Sequence, residues 1–324
     1  MGHDQNKSSL LLAFPPTDEV RADLTKEFDL VCPESKPLTV DELVKTAQAK
    51  NIDAVILSPM HRLSKADIEV LPKTLKIVAT SSVGFDHLDL EAYRQRSVVT
   101  TNTPDVLTDA TADLAMLLLL SASRRLKEHL QIVADGWGKN LGQAEWLGWD
   151  LRGKTLGILG MGRIGQALAS RARAFGMKVI YSNRRRLDPQ EESGAEYYAN
   201  FREMLPKCDV LSLHAPGTKE TAGIMGAEEF AALPKGVIFV NVARGTLVDE
   251  EALFAALDSG HVGAVGLDVC LNEPHPDSRF ANYANVILTP HVGSATRETR
   301  NAMVHRAAEN VRRVLKGEPA RDPL

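Results

Sequence analysis

Scarcities narrow the field first. Cysteine is rare: Cys32, Cys208 and Cys270 are the three in 324 residues. Their odd number and wide spacing suit neither a disulfide framework nor a metal site, so they read as reduced core residues of a cytoplasmic protein. Excess charge is lacking too. A formal net charge of -4 gives no basic footprint for nucleic acid and no adhesive patch for a membrane surface. Long apolar runs are missing: Leu114 to Leu120 is the longest, far too short to span a bilayer, and it reads as the buried face of a helix. The opening MGHDQNKSSL is polar, lacks a signal-peptide pattern and is expected to be frayed. Internal repeats and low-complexity linkers are also absent. There remains a composition, 44% hydrophobic and 25% charged, that suits a globular enzyme. The length favours two domains of about 150 residues each.

Short apolar, β-branched runs alternate with helical patterns almost from end to end, which signals parallel α/β architecture. Strands are expected at 10–14, 53–58, 76–81 and 97–102, with helices capped by Thr39 and Ser64 between them. The pattern restarts at 155 with TLGILG, KVIYSN, CDVLSLH, VIFVNVA, AVGLDV and NVILTPH. The chain therefore reads as two doubly wound units, joined near a long helix that begins around Thr108 after the Pro104 break. The last stretch reads as one amphipathic helix ending at Gly317, followed by an extended tail. This helix has no strand of its own to cover and is expected to pack on the first unit.

After the first strand of the second unit comes Gly160-Met161-Gly162-Arg163-Ile164-Gly165, which opens a helix and is followed by a second strand after Gly176. That context makes a phosphate cradle of an otherwise weak motif. Gly160 permits the tight turn, Gly162 lets the backbone approach a pyrophosphate, and Gly165 packs helix on strand; the helix N-terminus faces the phosphates. A site for NAD would carry Asp or Glu about 20 residues on, at the end of the second strand. Asn183 occupies that position and is followed by Arg184, Arg185 and Arg186. A carboxylate would repel a 2′-phosphate and guanidinium groups would bind it, so the stretch is written for NADP, with NADPH preferred over NADH. Arg186 fits a solvated loop position best.

Three later strands end in Arg244, Glu273 and His291. Ligands of open α/β sheets bind beyond the carboxyl ends of the strands, where these residues could converge. Reducing a 2-keto acid needs a hydride at the carbonyl carbon and a proton at its oxygen. His291 can carry the proton, Glu273 can hold the other ring nitrogen, and Arg244 can hold and polarise the anionic substrate. Read alone, such a histidine is more often structural, Glu273 before Pro274 suits a turn, and Arg244 before Gly245 suits a surface cap. Their joint placement carries the catalytic reading.

With these residues, SSVGFDHLD, NTPDVLTDATADLAMLLLL, LSLHAPGTKET, NVARGTLVDEEAL and LTPHVGSAT in view, the chain resembles the D-isomer-specific 2-hydroxyacid dehydrogenase family, and within it the glyoxylate/hydroxypyruvate reductase group. The matching motifs run in order through roughly residues 75 to 320. The resemblance implies an α/β fold of two doubly wound domains. A Rossmann cofactor domain, 102–293, would be inserted in a flavodoxin-like substrate domain made of 1–101 and 294–324. It implies that Arg244, Glu273 and His291 are the catalytic set and that the backbone at Val83 and Gly84 receives the substrate carboxylate. His214 and Pro216 would lie along the cofactor, with Val242, Ala243 and Asp268 near the nicotinamide and Gly293 close by. It further implies a homodimer in which Trp137 reaches towards the partner's active site. Relatives with these motifs reduce glyoxylate, hydroxypyruvate or larger sugar acids such as 2-keto-D-gluconate, for which Ser81, Asn140 and Arg297 are candidate hydroxyl partners. Phosphoglycerate dehydrogenases, which normally have an acid where Asn183 stands, match less well. Dinucleotide-sensing corepressors share the fold, but usually with extended tails.

Overall fold

The computed structural model describes residues 7–324. Most of the opening segment expected to fray, residues 1–6, lies outside the described residues. Its last two residues, Ser9 and Leu10, already belong to a strand. The chain divides into two compact units, one that ends at Leu107 and resumes at Ala295–Leu324, the other Thr108–Ser294.

The first unit holds β1 (Ser9–Leu12), α1 (Asp18–Glu27), β2 (Asp29–Val31), α2 (Val40–Ala49), β3 (Ala54–Leu57), α3 (Lys65–Glu69), β4 (Ile77–Thr80), α4 (Leu90–Gln95) and β5 (Val99–Thr101). Its sheet is parallel with strand order β2-β1-β3-β4-β5, the flavodoxin-like order. β3 and β4 are buried at every position because helices cover both faces. Thr39 and Ser64 start α2 and α3 as the sequence suggests, each in a reciprocal capping box, with Glu42 and Asp67. The segment after β5 remains with this unit: Asn102 donates its side-chain amide to the Val83 carbonyl and Thr103 its backbone amide to Ser82.

The second unit holds α5 (Thr108–Ser123), α6 (Leu126–Ala134), β6 (Thr155–Leu159), α7 (Arg163–Ala174), β7 (Lys178–Ser182), α8 (Pro189–Glu192), β8 (Glu196–Tyr198), α9 (Phe201–Met204), β9 (Val210–Leu213), α10 (Ala227–Ala232), β10 (Val237–Asn241), α11 (Glu250–Asp258), β11 (Val262–Leu267) and β12 (Val286–Leu288). Its parallel sheet runs β12-β11-β10-β9-β6-β7-β8, the Rossmann order with one strand added at an edge. The order reverses beside β6, the strand that leads into the glycine motif. One core lies between the sheet and α5 and α7; the other gathers Phe230, Leu253, Phe254 and Leu257 from α10 and α11.

The final helix α12 (Arg297–Leu315) returns to the first unit and packs on β3, β4, β5 and α1. Gly317, at φ +78°, takes the left-handed conformation that ends it. The tail beyond is pinned: Asp322 accepts from Arg306 at 2.6 and 2.8 Å and from Asn310 at 2.9 Å, and the Leu324 amide reaches the Thr100 carbonyl. Among the described residues no helix is long and apolar enough to cross a membrane.

Candidate active site

β6 ends in a turn that only glycine can make. Gly160 has φ +95°, and a Cβ there would sit 2.5 Å from the Ala215 nitrogen. Gly165 allows the first turn of α7 to close on that loop, since its Cβ would lie 2.6 Å from the Gly160 oxygen. Between them Gly162 faces open space, with nothing within 4 Å of where a Cβ would be. No side chain caps α7, which begins at Arg163 and Ile164, so its positive N-terminal end faces the cradle and favours an anion. The turn after β9 adds an imidazole. His214 pairs its Nε2 with the Ser212 hydroxyl at 2.8 Å, but its Nδ1 is buried without a partner. Burial pushes its pKa down to about 4, so the ring is neutral at ordinary pH. An open glycine cradle, an uncapped helix and an unsatisfied ring nitrogen fit a dinucleotide. Pro216 follows, its carbonyl accepting the Thr221 hydroxyl at 2.6 Å.

At the end of β7, the Asn183 side chain reaches back to the cradle and accepts the Met161 amide at 2.7 Å. The three arginines that follow divide. Arg184 and Arg185 are exposed, and the charge of Arg184 helps hold the Glu220 carboxyl below its usual range, after that residue's bonds to Thr218 and its own backbone. Arg186 is exposed, as expected of a solvated loop position, but it also grips the buried Glu192 through two hydrogen bonds of 2.7 and 3.1 Å. No local pattern announces this pair, because the acid lies six residues on, across a turn and a short helix.

Arg244, Glu273 and His291 all belong to the second unit. The Glu273 Oε2 lies 2.6 Å from His291 Nδ1, and its Oε1 accepts the Cys270 amide at 3.1 Å. Burial opposes the charge on Glu273. The hydrogen bond and charge of His291, the Cys270 amide and the charge of Arg244 outweigh it and hold the carboxyl below its usual range. The turn at Arg244 is fixed by Asn241, which donates to the Arg244 carbonyl at 2.9 Å and accepts the Ala243 amide at 3.0 Å. Val242 and Ala243 in this turn are buried, and Arg244 donates to the Ala243 carbonyl at 2.7 Å.

His291 is held from behind by Asp268, a contribution the motif reading missed. Asp268 follows β11, is 1% exposed, and accepts from the Thr289 hydroxyl at 2.6 Å and the amides of Val292 and Gly293 at 2.8 Å each. Burial raises its pKa against those three bonds. Its carbonyl also takes the His291 amide at 3.0 Å. An acid after an apolar strand was visible in GLDV, but not the loop it clasps.

In the first unit, Val83 and Gly84 follow β4. The Val83 carbonyl is used by Asn102, whereas no hydrogen bond among the described residues employs either amide. Trp137, after α6, is 62% exposed at φ 35°.

The sequence profile of the D-isomer specific 2-hydroxyacid dehydrogenase, NAD binding domain, matches residues 116–293. A glyoxylate reductase of Thermococcus litoralis is 44% identical over 278 residues, which cover 84% of this chain and 83% of that protein. Among solved structures, one from Polaromonas described as a D-isomer specific 2-hydroxyacid dehydrogenase is 37% identical. It superposes with a TM-score of 0.93 over 98% of this chain and 99% of its own. The NADPH-dependent glyoxylate/hydroxypyruvate reductase of Sinorhizobium meliloti, in complex with NADP and malonate, is 33% identical. It gives a TM-score of 0.86 over 98% of this chain and 97% of that one.

Proposed function

The chain belongs to the D-isomer specific 2-hydroxyacid dehydrogenase family, and on that premise we propose that it is an NADPH-dependent reductase of small 2-keto acids, chiefly glyoxylate and hydroxypyruvate. The observation that carries this reading is the His291–Glu273 pair at 2.6 Å within reach of the charge of Arg244. A bound nicotinamide coenzyme supplies the hydride. With Nδ1–H donated to Glu273, the Nε2 of His291 is left to give its proton to the carbonyl oxygen. Arg244 holds the substrate carboxylate and polarises the carbonyl. In this reading the first unit is the substrate-binding domain, and the backbone at Val83 and Gly84 receives the substrate carboxylate. The second unit is the coenzyme-binding domain, with Val242, Ala243, Asp268 and Gly293 beside the nicotinamide.

Asn183 supports the choice of NADPH. It keeps a side-chain acceptor for the Met161 amide, as an aspartate would, without the charge that repels a 2′-phosphate. The enzyme works as a cytoplasmic homodimer, in keeping with three unpaired cysteines and a row of exposed apolar residues on α6. Steady-state rates with hydroxypyruvate test the reading. The parent should favour NADPH, and Arg184→Ala should weaken that preference roughly tenfold while NADH turnover survives, as expected for a charge-assisted hydrogen bond. Equal efficiency with both coenzymes in the parent removes the NADPH reading. A kcat/KM for 2-keto-D-gluconate about tenfold above that for hydroxypyruvate, a gap of 1.4 kcal/mol, removes the substrate assignment.

A further inference from the structure

Behind the exposed arginines lies a polar network that no step of the reaction uses. Tyr181, in β7, is fully buried; it donates its hydroxyl to Glu192 at 2.6 Å and accepts the Leu187 amide at 3.0 Å. Glu192, 6% exposed, also takes both bonds from Arg186, and its carbonyl is held by Arg173 of α7 at 2.9 Å. The Arg186 guanidinium lies 5.9 Å from the centre of the Tyr197 ring, and the Tyr197 hydroxyl donates to the Asn183 carbonyl at 3.1 Å. The segment after β7 is therefore tied at Asn183, at Arg186 and at Leu187. Arg184 and Arg185 lie between the ties and remain exposed.

Two physical consequences follow. A loose basic loop would have to be ordered each time it gripped an anion, and the ties remove that cost in advance. Glu192 would otherwise place a negative charge within a few residues of the anion, and Arg186 neutralises it. The bond from Arg186, then that from Tyr181, holds the Glu192 carboxyl below its usual range, so the pair persists as ions. Burial, reinforced by Glu192, pushes the Tyr181 phenol up to about 12 and keeps its proton in place.

We propose that Tyr181, Arg186 and Glu192 form a positioning network that presents Arg184 and Arg185 to a 2′-phosphate, so that residues that never touch the nucleotide help set the choice of coenzyme. This rests on the NADPH reading given above. It is tested by calorimetric binding of 2′,5′-ADP and 5′-AMP, the adenosine halves of the two coenzymes, to the full chain and to Glu192→Gln and Tyr181→Phe. Glu192→Gln keeps the size and an acceptor but loses the charged pair; Tyr181→Phe removes one oxygen and serves even where the first variant does not fold. The parent should prefer 2′,5′-ADP by roughly tenfold or more, the scale of a charge-assisted contact. In each variant that preference should fall several-fold while 5′-AMP binds as before. Equal binding of the two fragments by the parent overturns the NADPH reading and this proposal with it. A parent preference that survives in folded Tyr181→Phe overturns the network alone.

Discussion

His291 occupies a left-handed backbone conformation, φ 53°, that costs a non-glycine residue of order 1–3 kcal/mol. The bonds from the loop to the Asp268 carboxylate and carbonyl hold it there. A residue held at such expense is expected to do chemistry, and His291→Ala should lower kcat by roughly 10²–10⁴-fold while 2′,5′-ADP binding is kept. The sign of the pH effect at its partner follows from charge. Glu273 is held below the usual carboxylate range and so is anionic throughout neutral pH. Glu273→Gln removes that anion, the protonated ring loses its partner, and reduction, which consumes the proton, should fail at a lower pH than in the parent. An unchanged alkaline limb in the Gln variant would show that Glu273 does not act through His291. These three residues could be singled out in the sequence because each follows an apolar strand run within three to six residues, the strands ending at Asn241, Leu267 and Leu288. The Asp268 clasp and the Arg186 anchor were not, because their partners are chosen by how loops fold back, and no spacing rule encodes that.

α6 shows how far pattern reading reaches at the level of elements. Leu126, Leu130 and Val133 recur at i, i+4 and i+7, a stripe that normally faces a core, yet they are 41%, 60% and 59% exposed. An exposed apolar stripe of this kind is the surface that the proposed homodimer would bury. Leu130→Glu places a charge in that stripe. It should convert the dimer to a monomer by light scattering while the melting temperature of the monomer fold changes little. A parent that is already monomeric at micromolar concentration would remove the dimer. Elsewhere the long or central elements were readable: the glycine turn, the capped starts of α2 and α3, and strands buried on both faces announce themselves locally. β2 and β8 did not. Each is a three-residue edge strand that opens with an exposed acid, Asp29 or Glu196, and each is a strand only because a neighbour offers a free edge to pair with. α12 was readable as a helix from its period, and its place in the first unit followed from a count of strands rather than from any local signal.

At the scale of the molecule, one unit is continuous in sequence and the other is not, and their stabilities should differ accordingly when they are cut apart. Thr108–Ser294 contains both of its cores entire, one on each face of its sheet. The first unit does not end at Leu107 in this sense. One of its two cores draws Val304, Ala307, Ala308 and Val311 from α12, which the chain supplies only after the whole second unit. Burying a valine contributes about 1.5–3 kcal/mol, so the two valines alone supply a large part of the roughly 5–15 kcal/mol that holds a domain. Without α12 the Leu10, Leu12, Ile56 and Ile77 face would also be open to water on that side. A fragment of residues 108–294 should therefore unfold cooperatively and bind 2′,5′-ADP with the affinity of the intact chain. It retains the glycine cradle, Asn183, Arg184 and Arg185. Although it also retains Arg244, Glu273 and His291, it should show no turnover of hydroxypyruvate if, as proposed, the backbone at Val83 and Gly84 receives the substrate carboxylate. A fragment ending at Leu107 should show no cooperative transition. Adding a peptide of residues 295–324 in trans should restore one, with a midpoint that rises with peptide concentration as mass action requires. Cooperative melting of the shorter fragment alone would mean that α12 decorates a finished domain. Turnover by the 108–294 fragment would remove the proposed role of Val83 and Gly84.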